Sequence, residues 1–278
     1  MNITEIVARA LAEDIGHGDI TTQLAIPPDL QARGVFLAKQ SGCLSGLYVA
    51  EECFRQVDPT ISFESRFHEG DAFSAGDELA IVTGPAASLL TAERVALNFL
   101  QRLCGVATLT CEFVSRVRDT RARIVDTRKT TPGLRILEKA AVRAGGARNH
   151  RFALYDGILL KDNHIAVAGG IAQAVAAARA GAPHTLKIEI EVTDIQQLTE
   201  AMAAGADVIL LDNMNLHDLE EAVAVAGGRL LLEASGGVSL DTVGDIAQTG
   251  VDLISVGALT HSAKAIDISL DIQPRERL

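Results

Sequence analysis

The chain has no tryptophan, and only two tyrosines and eight phenylalanines in 278 residues. So few aromatic faces argue against recognition of single nucleic-acid strands by base stacking. Cysteine is scarce as well: Cys43, Cys53, Cys104 and Cys111 form no Cys-x-x-Cys pair and have no histidine at zinc spacing. They read as reduced core thiols of a cytoplasmic protein. No uncharged apolar run approaches the ~18 residues of a membrane span, and Met1-Asn2-Ile3-Thr4-Glu5 does not open a basic and then apolar leader. A secreted or membrane-spanning chain is therefore not expected. Positive charge is in deficit, 25 Lys and Arg against 36 Asp and Glu, for a net −11. That balance opposes an extended nucleic-acid surface. No Walker-A sequence occurs, and Gly16-His17-Gly18 lacks the third glycine and the preceding strand of a dinucleotide fingerprint.

What the chain does have is a basic island. From Asp126 to His164 it contains Asp126-Thr127-Arg128-Lys129-Thr130-Thr131-Pro132-Gly133, then Gly145-Gly146-Ala147-Arg148-Asn149-His150-Arg151, then Lys161-Asp162-Asn163-His164. These 39 residues hold eight Lys or Arg against four Asp or Glu, while the other 239 hold 17 against 32. Positive charge concentrated within an acidic protein points to a small, highly anionic ligand held in a pocket.

Two textures divide the chain. From Pro27 to Pro85 short apolar stretches alternate with turn residues, which predicts a strand-rich α+β region. Leu89 to Leu103 reads as a helix with Thr91 as its cap. Beyond Ala122, short apolar strands recur at 123–125, 158–160, 186–190, 207–211, 230–232 and 252–256, each followed by a polar end and an Ala-rich helical stretch. The last four ends (Glu191, Asp212, Glu233 with Ser235, Gly257) are roughly 21 to 23 residues apart, one strand-loop-helix-loop unit. The pattern predicts a parallel sheet with right-handed crossovers, closed or nearly closed into an α/β barrel. Chemistry in such barrels gathers at the C-terminal strand ends, where the polar residues fall. Two domains are expected, residues 1–103 with 265–278 returning to them, and residues 104–264.

Each strand end suggests a chemistry. Arg128 beside Lys129 offers a bidentate guanidinium and a mobile ammonium for a carboxylate or phosphate, with Arg151 and Lys161 as further cations. His150 supplies either a donor to an anion or a structural imidazole. Glu191 and Asp212 end apolar strands, where an unpartnered carboxylate is costly. They serve either as ion-pair partners of Lys129 or Lys161 or as ligands of hydroxyls and Mg²⁺. Ser235-Gly236-Gly237, opening a helix near Leu240, and Gly257-Ala258, with His261 close by, suit a phosphate cradle of backbone N–H groups.

Taken together, these segments resemble the quinolinate phosphoribosyltransferase family. The similarity also takes in Glu13–Thr22, Ala92–Phe99, Leu211–Met214 and Gly257–Ser262, and so covers nearly the whole chain. The resemblance implies an N-terminal α/β sandwich and an incomplete, six- to seven-stranded α/β barrel, assembled as a homodimer with shared active sites. It implies transfer of a phosphoribosyl group from phosphoribosyl pyrophosphate to quinolinate, with loss of CO₂ and pyrophosphate, in de novo NAD biosynthesis. Arg128, Lys129, His150, Arg151 and Lys161 would hold quinolinate, with Arg94 reaching in from the partner subunit. Lys129 and Lys161 would also meet phosphoribosyl pyrophosphate. Glu191 and Asp212 would serve the ribose and Mg²⁺, directly or through water, while Ser235, Gly236, Gly237, Gly257 and His261 would surround the 5′-phosphate. No redox cofactor is implied. Ala147 stands where the family commonly has glycine, and Cys104 where serine is common. Two other readings keep a place: a Schiff-base aldolase using Lys129 or Lys161, and a non-catalytic sugar-phosphate sensor.

Overall fold

The computed structural model describes residues 2–275, which separate into two compact units. The first comprises the described residues up to Cys111, Thr130–Gly146, and those from Ser262 onward. It opens with helices α1 (Ile3–Ile15) and α2 (Ile20–Ala25), each started by a side-chain cap, Asn2 and Asp19. Strand β1 (Gln31–Ala38), β2 (Gly42–Cys43), helix α3 (Leu47–Val57), β3 (Ser62–Ser65), β4 (Ala72–Phe73) and β5 (Glu78–Pro85) follow. β1 pairs antiparallel with β5, and β5 with β3. Alternation along β1 buries Ala32, Phe36 and Ala38, and Phe36 meets Phe54 of α3 edge-on with centroids 6.0 Å apart.

Helix α4 (Ala86–Arg116) runs 31 residues, twice the stretch expected from the sequence. Thr91 is not its cap; the hydroxyl lies inside the helix and donates 2.9 Å to the Ala87 carbonyl. Gly105 lies inside the helix where the chain at Lys264–Ala265 crosses closely. A Cβ at Gly105 would collide with the Lys264 carbonyl oxygen. Helix α5 (Arg135–Ala144) joins this unit through Glu138, which is wholly buried. The Glu138 carboxylate accepts from Arg102 Nη2 at 2.8 Å and from the Thr131 N–H and hydroxyl at 2.9 and 2.7 Å. A buried carboxylate so fully satisfied is tolerable. Compactness thus groups 130–146 with the first unit, where the sequence reading had grouped it with the second.

The second unit is the barrel. Its strands are β6 (Arg123–Val125), β7 (Ile158–Leu160), β8 (Ile188–Val192), β9 (Val208–Asp212), β10 (Leu231–Ser235) and β11 (Leu253–Ser255). They form one parallel sheet in the order β6-β11-β10-β9-β8-β7. Between them run α6 (Asp162–Ala168), α7 (Ile171–Gly181), α8 (Ile195–Ala203), α9 (Leu216–Ala226) and α10 (Val243–Gln248), with the short α11 (Ala258–His261) after β11. Near-continuous burial along β8 and β9 is what a parallel sheet covered on both faces requires. β6 and β7 fall where the sequence predicts, while β8, β9 and β10 begin and end one to three residues later, so Glu191, Asp212 and Ser235 lie inside strands.

β6 and β7 follow each other in the chain yet form the two edges of the sheet. The space beside β6 is taken by the 147–151 segment. Arg148 forms a parallel bridge with Val125, its N–H donates to Ile124 O at 3.0 Å, and its carbonyl accepts from Asp126 N at 3.2 Å. The sheet also curls. On one face of it Glu189 on β8 and Glu233 on β10, two strands apart, converge on one nitrogen of His150. The result is an incomplete barrel. Finally β12 (Ile268–Pro274) returns to the first unit and pairs antiparallel with β1.

Candidate active site

At the C-terminal ends of the barrel strands lies a cavity of about 620 Å³, lined wholly by the second unit. Its floor is built from buried acids. Asp126, wholly buried at the end of β6, accepts from the His150 N–H at 2.8 Å and from Asn149 Nδ2 at 2.6 Å. His150 Nε2 lies 3.0 Å from Glu189 Oε2 and 3.6 Å from Glu233 Oε2, while Nδ1 accepts the Arg151 N–H at 2.7 Å. Glu233 is 1 % exposed and Glu189 8 %. Burial, then the Glu189 charge, pushes Glu233 up to about 7. Burial alone would lower the His150 pKa, but the Glu189 hydrogen bond and the charge of Glu233 outweigh it and raise it. His150 lines the cavity, as the sequence reading expects, with Nε2 directed at the floor acids.

The cations stand on the walls. Arg128, Lys129, Arg151 and Lys161 all line the cavity. Thr260, wholly buried, donates 2.7 Å to the Lys129 carbonyl and holds that backbone. Arg151 is anchored by Nη1 donating 3.0 Å to Gly157 O, just before β7. Burial and then the Arg128 charge lower its pKa, so the two guanidiniums share one space without enough negative charge to offset them. Nδ1 of His164 accepts the Lys161 N–H at 3.0 Å, fixing the start of α6. An electropositive cleft of this kind invites a polyanion.

Two carboxylates face these cations from adjacent strands. Glu191 pairs with Lys161 at 2.7 Å, and Asp212 accepts from Asn213 Nδ2 at 2.7 Å. Both line the cavity, and two carboxylates on neighbouring strand ends fit a hard cation that takes its remaining ligands from phosphates. Ser235, Gly236 and Gly237 line it too, with φ of +96° at Gly236 and +58° at Gly237. A Cβ at Gly236 would strike the Asn213 side chain, so only glycine lets this loop lie against the Asp212–Asn213 turn. α10 starts at Val243, so the loop does not sit on a helix N-terminus as the sequence reading had it. Gly257 and His261 are outside the lining but adjoin Lys129: a Cβ at Gly257 would stand 3.0 Å from Lys129 Cδ and 3.2 Å from His261 Nε2. Arg94 is an exposed residue of α4 in the first unit.

Comparison with known proteins decides the family. The domain family described as quinolinate phosphoribosyl transferase, C-terminal domain, matches residues 106–271, and its N-terminal counterpart matches residues 19–104. The chain belongs to the quinolinate phosphoribosyltransferase family. Within this family, the chain is 44 % identical over 272 residues to the Bacillus subtilis protein named probable nicotinate-nucleotide pyrophosphorylase (carboxylating), covering 98 % of this chain and 94 % of that one. It is 41 % identical over 290 residues to the chloroplastic nicotinate-nucleotide pyrophosphorylase (carboxylating) of Arabidopsis thaliana, covering 98 % and 83 %. The crystal structure of NadC from Streptococcus pyogenes superposes with a TM-score of 0.95 at 42 % identity, covering 99 % of this chain and 97 % of that one.

The sequence reading names Asp126 and Glu233 only as strand-end acids and gives neither them nor Glu189 a role. Asn213 (φ +55°) is the only non-glycine with positive φ among the described residues. Its one legible signal was the Asp-Asn pair ending a strand.

Proposed function

We propose that the chain transfers the phosphoribosyl group of phosphoribosyl pyrophosphate to quinolinate and releases CO₂ and pyrophosphate, giving nicotinate mononucleotide. The observation that carries this reading is the grouping of four cations, the carboxylates Glu191 and Asp212 and a left-handed glycine pair around one cavity. Arg128, Arg151 and Lys161 grip the two carboxylates of the pyridine. Lys129, next to Gly257 and His261, meets the charge that develops as pyrophosphate departs. Ser235, Gly236 and Gly237 receive the 5′-phosphate, and Glu191 and Asp212 orient the ribose. A Mg²⁺ held by Glu191 and Asp212 would screen the pyrophosphate charge.

The chemistry needs alignment more than a protein nucleophile. As the ribose–pyrophosphate bond breaks, the pyridine nitrogen attacks the oxocarbenium-like carbon, and fixed cations lower the barrier by holding two anions in register. The nitrogen, now quaternary, stabilises the carbanion left when the neighbouring carboxylate departs as CO₂. We assign Arg94 to the active site of a second subunit in a cytoplasmic homodimer. A coupled assay for pyrophosphate or CO₂ tests the activity. Turnover is expected with quinolinate and not with nicotinate, which lacks the second carboxylate. Equal turnover of the two would refute the assignment of the cation cluster.

A further inference from the structure

The buried acids of the floor have no assigned role. Glu233 is only 1 % exposed, and neither of its carboxyl oxygens has a hydrogen-bond partner among the described residues. Glu189 Oε1 is likewise buried without one, and so is the nearby Ser255 hydroxyl. For folding alone such groups are a burden, and apolar side chains of similar volume would serve better. Glu138 in the first unit shows the contrast: equally buried, it is saturated by Arg102 and Thr131.

What the two acids share is Nε2 of His150. Two carboxylates at one ring nitrogen draw the imidazole proton to that side. Nδ1 then keeps its lone pair, and the Arg151 N–H donates to it at 2.7 Å. The opposite tautomer would set two N–H groups against each other at Nδ1 and leave Nε2 a lone pair facing carboxylates. Arg151 is the next residue, and its guanidinium reaches from that fixed backbone to Gly157 O and the cavity wall.

We propose that Glu189 and Glu233 are positioning residues: they lock the His150 ring in its Nε2–H form and, through it, aim Arg151 into the cavity. This deepens the reading of the cavity as a diacid site and rests on that reading. Glu233 reaches the cavity lining and Glu189 lies behind it, and both act through His150.

Two measurements test the proposal. In [¹⁵N]histidine-labelled free protein at about pH 8, with His150 assigned by its absence in His150→Gln, the ring is expected as Nε2–H with an unprotonated Nδ1. Loss of that preference is expected in the Glu189→Leu/Glu233→Leu double variant. A wild-type Nδ1–H ring, or a double variant with the wild-type tautomer, overturns the proposal. In steady-state kinetics, the double variant is expected to raise KM for quinolinate about tenfold or more while KM for phosphoribosyl pyrophosphate stays within about twofold. Glu233→Gln, which keeps a carbonyl acceptor facing His150, is expected to stay nearer wild type. A parallel rise in both KM values, or none, counts against positioning. If the double variant does not fold, the single variants Glu189→Leu and Glu233→Leu carry the same test. If wild type fails to turn over quinolinate, the function is wrong while the tautomer result still stands or falls alone.

Discussion

Lys129 concentrates what a single residue can do here. Its carbonyl is pinned by Thr260, its side chain runs beside Gly257, and the residue lines the cavity. Lys129→Ala is expected to lower kcat by roughly 10² to 10³ with the fold intact, which is the cost of losing one preorganised charge stabiliser. Single-turnover measurement of pyrophosphate release checks it. Glu233 yields a different prediction, on stability. Its folded pKa of about 7 lies above the ordinary 4.5, so the native state holds that proton more tightly than the unfolded chain does. Stability therefore falls as pH rises from about 4.5 through 7, by roughly 3 kcal/mol at most, and then levels. His150, also raised, contributes most at low pH and loses its contribution in the same direction. Glu233→Gln is expected to flatten most of this slope in urea unfolding curves collected across that range. An unchanged slope would mean that Glu233 is ionised throughout.

At the level of elements, the alternation of strand and helix was legible because the barrel strands are short apolar runs with polar ends. Placement of the ends was less so. Register in a parallel sheet is set by neighbours far off in sequence, and Glu191 lies level with Leu210, as does Glu233. α4 is about twice the helix expected over Leu89–Leu103, and Gly105 lies within it at a close crossing by Lys264. Charge clustering found Arg128, Lys129, Arg151 and Lys161. It gave no account of what the floor acids face, because a buried acid in an apolar strand carries no local signal of its partners. The turn after β9 makes one more testable element. Gly236→Ala is expected to displace Asn213 and with it the partner of Asp212, weakening binding of phosphoribosyl pyrophosphate by an order of magnitude or so while sparing quinolinate. Calorimetric titration of each substrate separates the two. Equal losses for both would show a general collapse of the cavity instead.

For the whole molecule, the two domain families meet between residues 104 and 106, within α4. Arg94 sits on the same helix in the first unit, and the cavity belongs to the second. If Arg94 completes the site of another subunit, mixing Arg94→Ala protein with Lys129→Ala protein is expected to restore up to roughly a quarter of wild-type activity, since complementary halves make one intact site in a mixed dimer. No recovery after verified subunit exchange would assign Arg94 to its own subunit or to none.

The two outermost staves of the barrel, β6 and β7, touch no common backbone ladder. They are joined instead by Asp126, His150, Arg151 and the Gly157 carbonyl, the same short stretch that faces the ligand. Closure and grip thus share one piece of machinery: the short stretch that spans the open seam of the cylinder is also the stretch that presents Arg151 to the cavity.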